Sequence, residues 1–306
     1  MERLVIVIVG PTCSGKTSLS IELARELRTE ILSADSRQVF KHLNIGTAKP
    51  KTELLNSIKH HFIDSINIDE KFNASIFEEE ALKIIENLFQ QKKIPIVVGG
   101  SGLYIQALVD GIFNIVSTDD EMRNKFLEIK TKDGVEALYN ELKNVDPVSA
   151  AKMLPQNWKR VTRALEVYYS TGRPIWELQQ LYKRENEINF LQYGLDWDRE
   201  QLYSNIELRV DEMIKNGLVE EVNNVLSKGY STILNAINTV GYKEIIKYLE
   251  NEISLDEAIS LIKRNTRRFA KRQLTWFRKD KRIKWIPIND IEQIEKISTA
   301  ILEEVL

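Results

Sequence analysis

The segment GPTCSGKT at positions 10–17 has residue types and spacing that could hold a phosphate group. It matches the pattern G-x-x-x-x-G-K-[ST], in which glycines let backbone N–H groups approach phosphate oxygens beside a helix N-terminus. The lysine adds a full positive charge, and the last threonine hydroxyl can ligate Mg²⁺. The alternative is a chance glycine turn with a solvated lysine. We expect a di- or triphosphate to bind this phosphate loop, which consists of Gly10, Pro11, Thr12, Cys13, Ser14, Gly15, Lys16 and Thr17.

A carboxylate at Asp35 follows the second predicted strand, within the segment SADSRQVF at 33–40. In an open parallel sheet we expect the carboxyl ends of the first two strands to lie side by side, where ligands bind. Asp35 would then face the phosphate loop and could accept a proton from an attacking nucleophile. An equally supported alternative is that Asp35 only caps a helix.

A second glycine loop, GGSGLY at 99–104, follows another strand of buried type. Its backbone could contact a further anion or a base, and the Ser101 hydroxyl could donate a hydrogen bond there. Taken alone, the pattern is more typical of a tight strand-to-helix turn without a ligand.

Lysine and arginine are concentrated in two segments. Residues 263–284 contain eleven Lys or Arg residues and one acid, Asp280. If this segment is helical, a basic stripe forms along one face from Arg264, Arg268, Lys271 and Arg278. A shorter cluster, KRVTR, occupies 159–163. Either cluster alone could be only a solvated face. Together, beside a phosphate loop, they favour a nucleic-acid backbone as partner.

Arg209 and the three histidines are further polar residues that could belong to the site. Arg209 could clamp a phosphate group bidentately, or it could pair with Asp211 or Glu212. The three histidines have no recognisable metal-ligand spacing.

Strands alternate with helices at both ends of the chain, which predicts an α/β fold with a parallel, P-loop NTPase-like sheet. Leu4–Val9 is a continuous apolar run, as in a strand buried on both faces. Further strands are predicted at 30–33, 62–64, 94–98 and 190–195, with helices at 15–27, 73–90, 199–215, 218–227 and 255–278. Residues 114–189 have little strand signal. We therefore predict a core domain of 1–113 and 190–306, with C-terminal helices, and a helical insertion domain at 114–189.

Composition excludes several classes of protein. The net charge of −2 reveals no partner, and one cysteine cannot form an internal disulfide or a cysteine-based zinc site. No apolar run approaches the ~20 residues of a membrane span, and the N-terminal run lacks a signal-peptide cleavage site. We expect a cytoplasmic monomer.

These residues together resemble one family, the tRNA dimethylallyltransferases, also called tRNA isopentenyltransferases. Its motifs are matched in order over nearly the whole chain. They are GPTCSGKT, SADSRQVF, IGTAKP at 45–50, HHFID at 60–64, GGSGLY, KRVTRALEVY at 159–168, VGYKEI at 240–245 and AKRQLTWFR at 270–278. Cys13 and Ser101 stand where alanine and threonine are commoner. The absence of further cysteines rules out the zinc finger of some eukaryotic members, so the chain looks bacterial-type.

The resemblance implies transfer of a dimethylallyl group from dimethylallyl diphosphate to the N6 amine of adenosine 37 in the tRNA anticodon loop. Asp35 would be the general base. The phosphate loop and Arg209 would hold the diphosphate, and Thr17 would ligate Mg²⁺. The residues implied to contact tRNA are Asp35, Ser36, Arg37, Gln38, Ser101, Arg123, Lys159, Arg160, Val161, Thr162 and Arg163, with Arg264, Arg268 and Lys271 added from the basic stripe.

Three rival functions would each leave part of the sequence unexplained. A transferase acting on free AMP or ADP would not need the two basic clusters. A small-molecule kinase would consume ATP, and the clusters would again be surplus. A non-catalytic RNA-binding protein would leave the phosphate loop and Asp35 unexplained.

Overall fold

A parallel sheet organises the part of the chain that carries the phosphate loop. Within residues 3–112, 120–181 and 187–306, which this computed structural model describes, six strands form one sheet in the order β3-β2-β4-β1-β5-β6. The strands are β1 (Leu4–Val9), β2 (Ile31–Ser33), β3 (His60–His61), β4 (Ile96–Gly99), β5 (Asn189–Trp197) and β6 (Lys284–Ile288). Every neighbouring pair is parallel. All six residues of β1 are buried, as its apolar sequence predicts for a central strand.

The strand order corrects one expectation about the site. β4 lies between β1 and β2, so the ends of the first and second strands are not adjacent. Val7 of β1 and Leu32 of β2 both pair with Val97. The second glycine loop, which follows β4, therefore lies between the phosphate loop and the Asp35 segment.

Helices connect and cover these strands. In chain order the α-helices of the described residues are α1 (Lys16–Glu26), α2 (Thr52–Ser57), α3 (Ala74–Gln90), α4 (Gly102–Asp110), α5 (Asp120–Asp133), α6 (Val135–Val145), α7 (Pro147–Ala150), α8 (Trp158–Thr171), α9 (Ile175–Leu181), α10 (Arg199–Lys215), α11 (Leu218–Ser227), α12 (Tyr242–Leu249), α13 (Leu255–Phe277) and α14 (Ile294–Val305). Local sequence explains their ends: the Asn73 side chain, for example, accepts hydrogen bonds from Ser75 N–H and Ile76 N–H to cap α3. None of these described helices is long and apolar enough to cross a membrane.

Two strand predictions needed correction. The third strand is His60–His61 rather than 62–64, because Phe62 and Asp64 have φ angles of 62° and 49°, which end an extended segment. The C-terminal part, predicted as helical, also contributes β6. Pro287 lacks an N–H, and β6 accommodates it because the strand lies at the sheet edge.

The chain divides into two compact units, Met1–Val109 with Asn186–Leu306, and Asp110–Glu185. The sequence had placed the boundaries at 114 and 189; part of both linking segments lies outside the described residues. The first unit contains the sheet. The second is helical over its described residues, and its core includes Phe126, Leu138, Leu142 and Leu165.

Candidate active site

The phosphate loop connects the end of β1 to the start of α1. Gly15, at the helix N-cap, has a φ of 87°, in the left-handed region that favours glycine. No side chain of the described residues caps this helix, so its first N–H groups are available to an anion. The indole N–H of Trp197 donates to the Ser14 carbonyl oxygen at 2.9 Å, which fixes the loop from β5.

Lys16 brings its ammonium group back over this loop, where it donates to the Pro11 carbonyl oxygen. Burial lowers the pKa of Lys16 to about 8, with Arg209 acting in the same direction, while Cys13 and Asp35 oppose the shift. The charges of Asp35 and Arg209 are thus close enough to act on Lys16. Lys16, at the start of α1, and Arg209, on α10, both contact the phosphate loop, and Asp35 follows β2 on the far side of the second glycine loop.

Arg209 is directed toward the phosphate loop. Its Nη1 lies 3.9 Å from the Cys13 sulfur. Asp211, one of its two candidate ion-pair partners, instead pairs with Lys263 at 2.7 Å. The guanidinium is therefore positioned to meet an anion held by the loop.

Thr17 lies exposed in the first turn of α1. Among the described residues, no group of three or more His, Cys, Asp or Glu side chains could hold a metal ion. Mg²⁺ commonly binds through few protein oxygens plus substrate phosphates, so an exposed hydroxyl beside the loop fits that mode of binding.

Asp35 uses one carboxylate oxygen to hold a turn. Its Oδ1 accepts hydrogen bonds from Arg37 N–H at 2.8 Å and Gln38 N–H at 3.3 Å. The expected alternative of a helix cap is therefore partly right, although residues 36–39 form a turn rather than a helix. Within the described ranges Oδ1 holds the turn and Oδ2 has no hydrogen-bond partner, so the capping and catalytic roles are compatible.

The second glycine loop supports this turn directly. The Ser101 Oγ accepts from Ser36 N–H at 3.0 Å, and Ser101 N–H donates to the Ala34 carbonyl oxygen at 3.2 Å. Since Oγ accepts there, its own proton can still be donated to a ligand. Ser101 therefore both positions the Asp35 turn and offers a donor beside it.

The glycines of this loop are required by packing. A Cβ on Gly99 would lie 2.1 Å from the Ala34 carbonyl oxygen. A Cβ on Gly100 would lie 2.2 Å from Gln273 Nε2, and one on Gly102 would lie 2.2 Å from the Trp276 ring. The motifs at 99–104 and 270–278 are thus in contact with each other.

A support behind the Asp35 turn escaped the sequence analysis. The Glu221 carboxylate accepts from the N–H groups of Asn44, Ile45 and Gly46 at 2.8–3.0 Å and from the Tyr242 hydroxyl at 2.5 Å. The loop it holds in turn accepts, through the carbonyl oxygens of Thr47 and Ala48, from the Gln38 side chain. The motifs IGTAKP and VGYKEI are recognisable in the sequence. Nothing in their local pattern shows that the Glu221 side chain binds to both of them.

The basic stripe lies on the exposed side of α13. Arg264, Arg268 and Lys271 are exposed and make no ion pair within the described part of the chain. By contrast, Lys263 and Arg267 on the same helix pair with Asp211 and Glu207 of α10. Arg278 follows the helix and pairs with Asp196 at 3.0 Å. Three cations of the predicted stripe are therefore left for an external anionic partner.

The second basic cluster lies in the helical unit. Lys159 and Arg160 are exposed, whereas Arg163 pairs with the buried carboxylate of Glu166. Arg123 also binds Glu166, at 2.9 Å.

Two residues in this cluster require a correction. Val161 is completely buried and Thr162 is 5% exposed, both within the core of the helical unit. Their side chains pack the helical unit and offer almost no surface, which argues against the predicted side-chain contacts with tRNA. Helical spacing puts Val161 about 200° from Lys159, but Thr162 lies only about 60° from Lys159, so its burial depends on packing that the sequence pattern does not reveal.

The fold and this site define a class: an α/β phosphate-loop protein with a carboxylate and two cations around the loop. Comparison with known proteins gives the family. The family model described as IPP transferase matches residues 38–280. The tRNA dimethylallyltransferase of Alkaliphilus oremlandii is 45% identical over 99% of this chain and 97% of its own length. That of Acetivibrio thermocellus is 46% identical over 96% and 94%.

Solved structures agree with this assignment. The tRNA isopentenylpyrophosphate transferase of Bacillus halodurans superposes with a TM-score of 0.72 at 35% identity, covering 99% of this chain and 97% of its own. A eukaryotic dimethylallyltransferase described as acting on tRNA gives a TM-score of 0.83 at 29% identity, covering 98% and 77%. The chain belongs to the tRNA dimethylallyltransferase family, and its predicted α/β fold is confirmed.

Proposed function

We propose that this protein transfers the dimethylallyl group of dimethylallyl diphosphate to the N6 amine of adenosine 37 in the anticodon loop of tRNA, releasing diphosphate. The observation that carries the proposal is that Lys16 and Arg209 contact the phosphate loop, while Ser101 of the neighbouring second glycine loop holds the Asp35 turn. Family membership supports the reaction.

The leaving group is assigned to the phosphate loop. As the allylic C–O bond breaks, negative charge builds on the diphosphate. Lys16, Arg209 and the N–H groups at the start of α1 stabilise that charge. The Thr17 hydroxyl would hold Mg²⁺, which would supply further neutralisation of the leaving group when bound.

The accepting base is assigned to Asp35. The adenine amine is a weak nucleophile, because its lone pair is delocalised into the ring, and the allylic carbon compensates by tolerating positive charge. As the N6–C bond forms, an N6 proton passes to Asp35, whose Oδ1 is already held by the turn. The base must leave its stack to reach this carboxylate, which is easier in a single-stranded loop than in a duplex.

The RNA partner is assigned from the cations. Arg264, Arg268 and Lys271 are exposed and unpaired among the described residues, as a site for backbone phosphates requires. The tRNA contacts of Arg37, Gln38, Arg123, Lys159, Arg160 and Arg163 remain predictions. The alternative is a transferase that acts on free adenine nucleotides. That function leaves Arg264, Arg268 and Lys271 without a role.

Labelled dimethylallyl diphosphate and Mg²⁺, incubated with unmodified tRNA, AMP or neither, distinguish these functions. We expect label in tRNA, at adenosine 37, without ATP. Label in AMP alone would establish the free-nucleotide function instead. A requirement for ATP, consumed in proportion to product, would establish a kinase.

A further inference from the structure

Gln273 joins the two glycine-rich loops of the active site. Its Oε1 accepts from Thr12 N–H of the phosphate loop at 2.9 Å, and its Nε2 donates to the Gly100 carbonyl oxygen at 2.9 Å. The side chain is 7% exposed and projects from the buried side of α13. Both halves of one amide are thus used, each on a different loop.

This bridge completes a connection across the site. The second glycine loop follows β4, between the phosphate loop and the Asp35 turn. On its other side it holds that turn through Ser101, which binds Ser36 and Ala34. The path from the leaving-group side to the proton acceptor therefore runs from Thr12 through Gln273, Gly100 and Ser101 to Ser36.

We propose that Gln273 is a positioning residue that fixes the separation between the phosphate loop and Asp35. The inference rests on the proposed function, in which these two parts hold the diphosphate and receive the N6 proton. A transfer between two bound substrates is sensitive to such a separation, since a misplacement of about 1 Å can reduce the rate roughly 10²-fold.

The amide chemistry supplies a specific test. In Gln273→Glu, the ionised carboxylate can accept from Thr12 N–H but cannot donate to the Gly100 carbonyl oxygen. The protonated carboxyl group can do both, and burial raises the pKa of such a group. We expect kcat at pH ~8 to fall about 10- to 100-fold and to recover relative to wild type as the pH falls toward ~6. Gln273→Met, of similar length without hydrogen bonds, should lose activity by a similar factor at every pH.

A matched control lies on the same helix. Asn265 donates to Glu244 of α12 at 2.7 Å. Asn265→Asp puts a titratable carboxyl group beside the Glu244 carboxylate, so the stability of this variant should depend on pH. Its kcat per folded molecule should nevertheless follow that of the wild type. The folded fraction of each variant is measured at each pH by circular dichroism.

Failure of the Gln273 inference and failure of the proposed function give different results. A Gln273→Glu variant that follows wild type across the pH range would overturn the inference. So would losses in both Gln273 variants that match the loss of folded protein. A wild-type protein that transfers no label to tRNA would instead refute the proposed function, whatever the variants do.

Discussion

The two glycine-rich loops have similar compositions but use glycine for different reasons. In the phosphate loop, Gly15 adopts a φ of 87° at an uncapped helix N-terminus, where N–H groups can meet an anion. In the second glycine loop, Gly100 and Gly102 leave room for Gln273 and Trp276. In the first loop Gly15 supplies a left-handed backbone conformation, although an added Cβ would also meet Ile291 at 2.7 Å, whereas in the second loop close packing alone excludes a Cβ. Comparable glycine motifs therefore cannot be interpreted alike from sequence.

The largest expected effect concerns Asp35, which the second loop positions. Asp35→Asn keeps an oxygen that can hold the turn at Arg37 N–H and Gln38 N–H but removes the base. We expect turnover to fall roughly 10²- to 10⁴-fold, the usual range for losing a general base. Affinity for dimethylallyl diphosphate, measured by calorimetry, should be retained. Near-normal turnover would reduce Asp35 to a turn-capping residue.

Packing in the second loop can be tested by adding a methyl group. Gly102→Ala should lower the free energy of unfolding by about 1–3 kcal/mol, because its Cβ meets the Trp276 ring. A combination with Trp276→Leu should be less destabilising than the sum of the two single changes, since the smaller side chain relieves the contact. Chemical denaturation gives the three values.

Gly172→Ala is the control for this cycle. Gly172 has a φ of 69° but nothing within 4 Å of an added Cβ, so only the backbone strain of about 1–2 kcal/mol applies. Strict additivity of the Gly102 and Trp276 changes would show that the cost of the methyl group does not arise from contact with Trp276.

The phosphate loop contains a titrating group near physiological pH. Burial holds the pKa of Lys16 at about 8, so the free protein loses this charge as the pH rises through that value. Affinity for dimethylallyl diphosphate should therefore weaken above pH 8, by up to about tenfold per unit. Lys16→Ala should bind dimethylallyl diphosphate weakly at all pH values and should not show this loss of affinity above pH 8. If the variant also lost affinity above pH 8, the titrating group would be another residue.

The smallest effect is expected on the exposed side of α13, whose buried side packs the second loop. Changing Arg264 and Arg268 to Gln should weaken tRNA binding and flatten its log–log salt dependence by about 1.5 in total. Affinity for dimethylallyl diphosphate should not change, and stability should change little, because exposed charges contribute little. Binding isotherms across a salt series provide the slopes.

The control pair for the salt series is Lys263 and Arg267, which are engaged with Asp211 and Glu207. Their change to Gln should leave the slope closer to wild type. Equal slopes in the wild type and the Arg264/Arg268 variant would mean that the exposed side is only solvated.

Local sequence patterns predicted the structural features that depend only on residues close together in the chain. β1 and the helix after the phosphate loop were recognisable from six apolar residues followed by a glycine motif. The basic stripe was recognisable from helical spacing. The position of β4 between β1 and β2 was not, because strand order depends on contacts between distant segments.

The supports of the site were hidden for the same reason. Gln273 meets Gly100 across 173 positions of sequence and Thr12 across 261. Glu221 reaches the loop at 44–46 across more than 170 positions. Within a helical pattern, Glu221 resembles any other surface acid, and only the fold reveals the N–H groups it binds.

The central claim is that the phosphate loop holds a leaving diphosphate rather than a nucleotide to be hydrolysed. The most direct measurement is the ratio of diphosphate released to dimethylallyl groups added to tRNA, with Mg²⁺ present and ATP omitted. We expect one diphosphate for each group added, and no release above background when tRNA is absent. Transfer that requires ATP, or diphosphate release without tRNA modification, would contradict it.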